Sequence, residues 1–270
     1  MRGTSSSLFI LMLTVVALAG CESSSPTRTF TPPVPTAPPP PAALQEAPGP
    51  YRAQLRAEIA AAYFERGQLD VALQELAEAV KLDPRNPKIY NVYGLVYTVL
   101  GEAAQAQQNF QKALELAPND SEIRQNWGWY LCTHGRAKDS IAEFETAVRN
   151  PLYKTPDVSL ANAGKCAASI GETARAEEFF KRALAIAPNN MVAGYNLSLL
   201  AYRERKYADA RTYMRRVMAQ TSPPPEALYL GMCIERKLGD KQSETSYVSQ
   251  LKNRHPQSAE ALALPAGVCE

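Results

Sequence analysis

Small and bulky apolar residues return at a fixed interval from Ala53 onward. Aligning Ala72, Ala106, Ser140, Ala176 and Ala210 gives spacings of 34, 34, 36 and 34 residues. Four residues after each stands a bulky apolar side chain: Leu76, Phe110, Phe144, Phe180 or Met214. Three further on comes Ala79, Ala113, Ala147, Ala183 or Val217. Steps of four and three set these residues on one face of a helix. Before the aligned small residue, Gly67, Gly101, Gly135 and Gly171 close a first helix in four units. Proline follows the second helix at Pro84, Pro118 and Pro188. The pattern predicts two helices per unit. Small residues let the pair approach closely, and the bulky group fills the space between units.

Two antiparallel helices in 34 residues, broken before the next pair, are the tetratricopeptide pattern. One pair cannot bury its own apolar face, so at least three must stack to build a continuous core. Five units are clear, starting near residues 53, 87, 121, 157 and 191. A weaker sixth starts near 225, carries Gly231, Gly239 and Leu251, and reads as a degenerate cap. The expected fold is all-α, a right-handed superhelix of five to six helix pairs over residues 51–258 with a tail at 259–270. The interval of 36 adds two residues within Asn150-Pro151-Leu152-Tyr153-Lys154-Thr155-Pro156, between units three and four. Such an insertion costs little and commonly lies at a working surface.

Residues 1–20 read as a lipoprotein signal peptide. Arg2 is their only charge, residues 8–18 form a short apolar stretch, and Ala19-Gly20 precede Cys21. That stretch spans about 16 Å as a helix, against roughly 30 Å for a bilayer core. Leu18-Ala19-Gly20-Cys21 resembles the bacterial lipobox. The resemblance implies that Cys21 becomes the mature N-terminus and carries lipid, each buried methylene adding about 0.8 kcal/mol of attachment. Glu22 rather than aspartate follows, which implies the periplasmic face of the outer membrane. Residues 21–50 then form a linker. Between residues 26 and 50 lie 10 of the 21 prolines, favouring an extended polyproline II tether.

The composition narrows the function. With 46% hydrophobic residues the chain can build a core, and 29 basic against 27 acidic residues leave a net charge of +2. Neither nucleic acid nor anionic lipid is an expected partner. Only His134 and His255 are available as imidazoles. His134 follows Cys132 by two residues near the end of a first helix, with no motif supplying an orienting group or oxyanion site. No Cys-x-x-Cys, His-x-x-x-His or glycine-rich phosphate loop occurs. The expectation is a protein without catalysis, metal or cofactor that works by recognition, as a monomeric array moored to the membrane by its lipid.

In tetratricopeptide arrays the first helices line a groove, with groove residues at positions 2, 5, 9 and 12 of the unit. Counting from Ala53, Pro87, Ser121, Asp157 and Met191, these include Phe64, Asn91, Thr98, Gln125, Trp129, Lys165, Tyr195 and Tyr202. Trp129, Tyr195 and Tyr202 are anchors of the type enriched at binding hot spots, or rings packed on a neighbouring helix. Trp127 falls at a core position. Position 6 is asparagine at Asn126, Asn162 and Asn196, able to bind a peptide backbone or to tie one unit to the next.

Besides Cys21 there are Cys132, Cys166, Cys233 and Cys269, which allow three pairings. Cys132 and Cys166 fall at positions 12 and 10 of adjacent first helices, within reach of a disulfide in an oxidising compartment. Two buried free thiols are the alternative. Cys233 and Cys269 would form the second candidate pair, fastening the tail to the cap.

Three segments together resemble the type IV pilus biogenesis and stability lipoproteins, the outer-membrane pilotins of the pilus secretin. They are Asn126-Trp127-Gly128-Trp129-Tyr130-Leu131-Cys132, then Asn150-Pro151-Leu152-Tyr153 with Thr155-Pro156, then Asn162-Ala163-Gly164-Lys165-Cys166. The resemblance implies a partner, the pilus secretin subunit, helped to reach the outer membrane and multimerise. It also implies that cysteines matching Cys132 and Cys166 are joined in some members. The long proline-rich tether departs from the family pattern. The rival reading is a tetratricopeptide lipoprotein adaptor for β-barrel assembly, envelope proteases or cell-wall hydrolases.

Overall fold

The computed structural model describes residues 47–267 and Cys269. Cys21, the leader and the proline-rich stretch as far as residue 46 lie outside the described residues. Among the described residues there are thirteen α-helices and no strand. Twelve of the helices form six pairs. The first three are α1 (Gly49–Glu65) with α2 (Leu69–Leu82), α3 (Pro87–Leu100) with α4 (Ala103–Leu116), and α5 (Ser121–Thr133) with α6 (Ala137–Val148). The others are α7 (Pro156–Ser169) with α8 (Thr173–Ile186), α9 (Met191–Arg203) with α10 (Tyr207–Met218), and α11 (Pro225–Leu238) with α12 (Lys241–Arg254). Each second helix also packs on the next first helix, and successive first helices touch. This is the tetratricopeptide superhelix. No helix among the described residues is long and apolar enough to cross a membrane.

One boundary moves. Helix α1 begins at Gly49, inside the stretch assigned to the linker, because Pro50 suits the first turn of a helix, where its missing N–H is no loss. The tail from residue 259 is also structured, as α13 (Ala259–Ala263) and a 3-10 turn (Leu264–Ala266). Ser258 starts it, its hydroxyl accepting the Ala261 N–H at 3.1 Å.

Helix ends follow local chemistry. Asn86, Asp120, Asn190 and Asp240 cap α3, α5, α9 and α12, each side chain accepting a first-turn N–H. At the ends of first helices the chain turns through the left-handed region, as at Gly67, where φ is 72°. There the Gly67 N–H donates to the Phe64 carbonyl and the Gln68 N–H to that of Tyr63, both at 2.9 Å. The fifth unit makes the same turn without glycine: Arg205 holds φ at 61°.

The core explains the repeat. Ala72, Ala106, Ser140, Ala176 and Ala210 are all fully buried, as are Phe110, Phe144 and Phe180. Each of these phenylalanines lies on a glycine of its own first helix. A Cβ on Gly94 would meet the Phe110 ring at 2.7 Å, on Gly128 the Phe144 ring at 3.0 Å, and on Gly164 the Phe180 ring at 2.5 Å. The sizes compensate. At the same positions the first unit pairs Ala60 with the smaller Leu76, both buried in one cluster. Ion pairs at equivalent positions clamp first helix to second, Arg56 to Glu75 and Arg124 to Glu143, each at 2.5 Å.

Candidate protein-binding groove

One cavity crosses the first helices α1, α3 and α5 and is flanked by the loop at residues 150–155. Its apolar lining comes from Ala61, Phe64, Val92 and Leu95, and its border carries Glu65, Asp120, Glu122 and Lys154. A line of polar side chains runs beside it. Asn126 donates to Asn91 Oδ1 at 3.2 Å, and Gln125 donates to Asn126 Oδ1 at 3.2 Å. The Tyr153 hydroxyl donates to Gln125 Oε1 at 3.3 Å and pairs with Ser159 Oγ at 3.0 Å. This chain links units two, three and four. Asn126 and Gln125 each keep a second amide hydrogen for another acceptor.

The inserted loop is built rather than slack. Asn150 donates to Ser121 Oγ at 3.1 Å, its own Oδ1 accepts the Leu152 N–H at 3.0 Å, and its carbonyl accepts the Tyr153 N–H at 3.1 Å. This asparagine turn fixes Leu152 outward, with 85% of its surface exposed at the cavity's rim.

The far ends of the same two first helices are also fastened. Cys132 on α5 and Cys166 on α7 are joined by a disulfide with a Cα–Cα separation of 5.9 Å. The buried Ser140 hydroxyl donates to Cys166 Sγ at 3.5 Å. Trp129 is half-buried against the same core.

A second cavity lies among α9, α11 and α13, lined by Tyr195, Leu199, Tyr202, Glu226 and Leu230. Tyr202 is buried, its hydroxyl donating to the Cys269 carbonyl at 2.8 Å. Cys269 is joined to Cys233 by a disulfide with Cα–Cα at 5.4 Å. Burial raises the Tyr195 hydroxyl pKa and the nearby Glu226 charge adds to it, with Arg203 opposing.

The candidate groove residues therefore fall into separate groups. Phe64, Asn91 and Gln125 share the first cavity, while Tyr195 and Tyr202 share the second. Thr98 donates to the Gly94 carbonyl of its own helix at 2.6 Å, and Lys165 is exposed. Of the position-6 asparagines, Asn126 ties two units together and Asn196 bonds back to the Val192 carbonyl at 2.8 Å. Trp127 belongs to a stacked aromatic core with Tyr130, ring centroids 5.1 Å apart. His134 stacks on Tyr130 at 4.1 Å and bonds its carbonyl at 2.8 Å, closing a helix end. Two groove elements escape a count of repeat positions, the exposed Leu152 of the inserted loop and the C-terminal segment over Tyr202. The capping serine Ser258 was the available signal for the latter.

Comparison with known proteins agrees with this architecture. Tetratricopeptide-repeat family models match residues 60–101, 87–120 and 126–190. The type IV pilus assembly protein PilF of Pseudomonas aeruginosa is 24% identical over 203 residues, covering 75% of this chain and 81% of that protein. A solved structure of P. aeruginosa PilF superposes with a TM-score of 0.72 at 23% identity, covering 80% of this chain and 97% of that one. The crystal structure of PilW, described as a widely conserved type IV pilus biogenesis factor, is 30% identical with a TM-score of 0.68. That match covers 79% of this chain and 98% of PilW. The chain belongs to the PilF/PilW family of tetratricopeptide-repeat type IV pilus biogenesis factors.

Proposed function

We propose that this chain is a lipid-anchored scaffold at the periplasmic face of the outer membrane, which binds the pilus secretin subunit and promotes its localisation and multimerisation. Membership of a pilus biogenesis family supports the setting, and the first cavity supports the mode of action. One observation carries the reading. Apolar side chains, unspent amide hydrogens and an outward-held Leu152 converge on a surface fixed at both ends, by Tyr153 and by the Cys132–Cys166 bridge. A prearranged surface spends little entropy when it captures a segment of another protein.

Lipid on Cys21 would raise the local concentration of the captured subunit near its insertion site without any new contact. No bond is made or broken; the chain acts as a scaffold and not as a catalyst. Replacing Cys21 with serine tests the anchoring directly. Secretin multimers and surface pili should fall away; multimers and pili at wild-type levels would contradict the reading.

A further inference from the structure

The chain's own C-terminal segment forms one wall of the second cavity. Helix α13 packs on α11 and α12 and faces α9 across the cavity, which it lines through Ala259, Glu260 and Ala263. Its contacts are those by which a groove holds a foreign peptide: side-chain donors directed at main-chain carbonyls. Tyr202 donates to the Cys269 carbonyl at 2.8 Å, and Arg236 donates to the Gly267 carbonyl at 2.9 Å. Leu264 packs into the apolar cluster that holds Tyr195, Leu199 and Tyr202.

The segment has little means of holding its own structure. Helix α13 has five residues, far below the length at which an isolated helix persists in water. Leu262 is 67% exposed, so only part of its apolar surface is buried. The Cys233–Cys269 bridge supplies the remaining constraint by keeping the segment beside its site.

We propose that the C-terminal segment is a built-in ligand of the groove, seated on Tyr202, Arg236 and the aromatic face of units five and six and retained there by the Cys233–Cys269 disulfide. It reserves this end of the face, leaving the α1–α5 end for other proteins. The site accepts a short alanine- and leucine-bearing segment read through its backbone carbonyls. This inference concerns a different cavity from the one proposed for secretin capture and does not rest on that function.

The test uses the full chain and a fluorescent synthetic peptide of residues 257–269 carrying Cys269→Ser. A release variant combines Cys233→Ser, Cys269→Ser and Leu264→Asp, removing the bridge and the apolar anchor while keeping Tyr202 and Arg236 and changing the cavity lining only at the Cys233 sulfur. Fluorescence anisotropy should show the release variant binding the peptide at least tenfold more tightly than the oxidised wild type. Adding Tyr202→Phe and Arg236→Ala should return binding to the wild-type level. Equal binding by the release variant and the wild type would overturn the proposal, as would binding indifferent to Tyr202 and Arg236. Hydrogen exchange on the chain carrying only Cys233→Ser and Cys269→Ser gives a second reading that also reports folding. Amides of residues 259–267 should lose protection at least tenfold while α9 and α11 keep theirs; unchanged protection in the segment would equally overturn it.

Discussion

The Tyr153 hydroxyl donates to Gln125 Oε1 at 3.3 Å, joining the inserted loop to the first helix of unit three. The same hydroxyl meets Ser159 Oγ at 3.0 Å in unit four, so one phenol spans the junction where the repeat interval lengthens. Removing the hydroxyl while keeping the ring, Tyr153→Phe, should cost about 1–2 kcal/mol. The urea midpoint would fall with an unchanged slope, and hydrogen exchange should show looser amides at residues 150–155.

The glycine and phenylalanine of a unit are a matched pair. Gly164→Ala would drive a methyl into the Phe180 ring, where a Cβ comes within 2.5 Å. Overpacking of this kind costs about 1–3 kcal/mol. Adding Phe180→Leu should recover part of the loss, since the first unit already combines alanine with leucine there. A double-mutant cycle measured by denaturant unfolding checks the coupling.

Arg205 occupies a left-handed turn at φ 61°, where the five other units have glycine. Relief of that strain predicts that Arg205→Gly raises stability by about 0.5–1 kcal/mol, net of the extra freedom glycine gains when unfolded. Thermal unfolding at fixed protein concentration measures the sign.

Two disulfides link Cys132 to Cys166 and Cys233 to Cys269. Non-reducing peptide mapping should recover both cross-linked pairs. Cys166→Ser should cost about 2–4 kcal/mol, by freeing the unfolded chain of a loop closed across 34 residues.

The last helix pair should weaken in acid. The Lys241 ammonium, and after it the Arg236 guanidinium, hold the Glu244 carboxyl below its ordinary pKa of 4.5. A carboxylate depressed on folding stabilises the fold above that ordinary value, and the contribution drains away as pH falls through the lower folded value. The stability difference between wild type and Glu244→Gln should therefore be largest near neutrality and shrink below pH 4.5. Thermal melts across that range test it.

The repeat itself was legible because its determinants are local: small residues, bulky partners and glycine stops recur every 34 residues and end up buried or at turns as their spacing dictates. The groove was legible only in part. Counting repeat positions puts Phe64, Asn91 and Gln125 on one face, and they do line one cavity. The same count cannot show that Tyr202 is covered, because the covering Cys269 carbonyl lies 67 residues away. Nor can it show that Asn126 faces a neighbouring amide whereas Asn196 turns back on its own helix. Both outcomes depend on how far adjacent first helices are offset, a property of packing between units. The early start of α1 has a different origin, since proline serves a tether and a helix's first turn equally well.

The central claim is capture of a secretin subunit by the surface that Phe64 and Leu152 border. The most direct measurement is the affinity of the oxidised full chain for purified secretin periplasmic domain, with and without Phe64→Ala and Leu152→Asp together. Saturable binding by the wild type, at least tenfold weaker in the doubly substituted chain with its helix content intact, is the predicted result. Equal affinity for the two chains, or no binding by either, would contradict it.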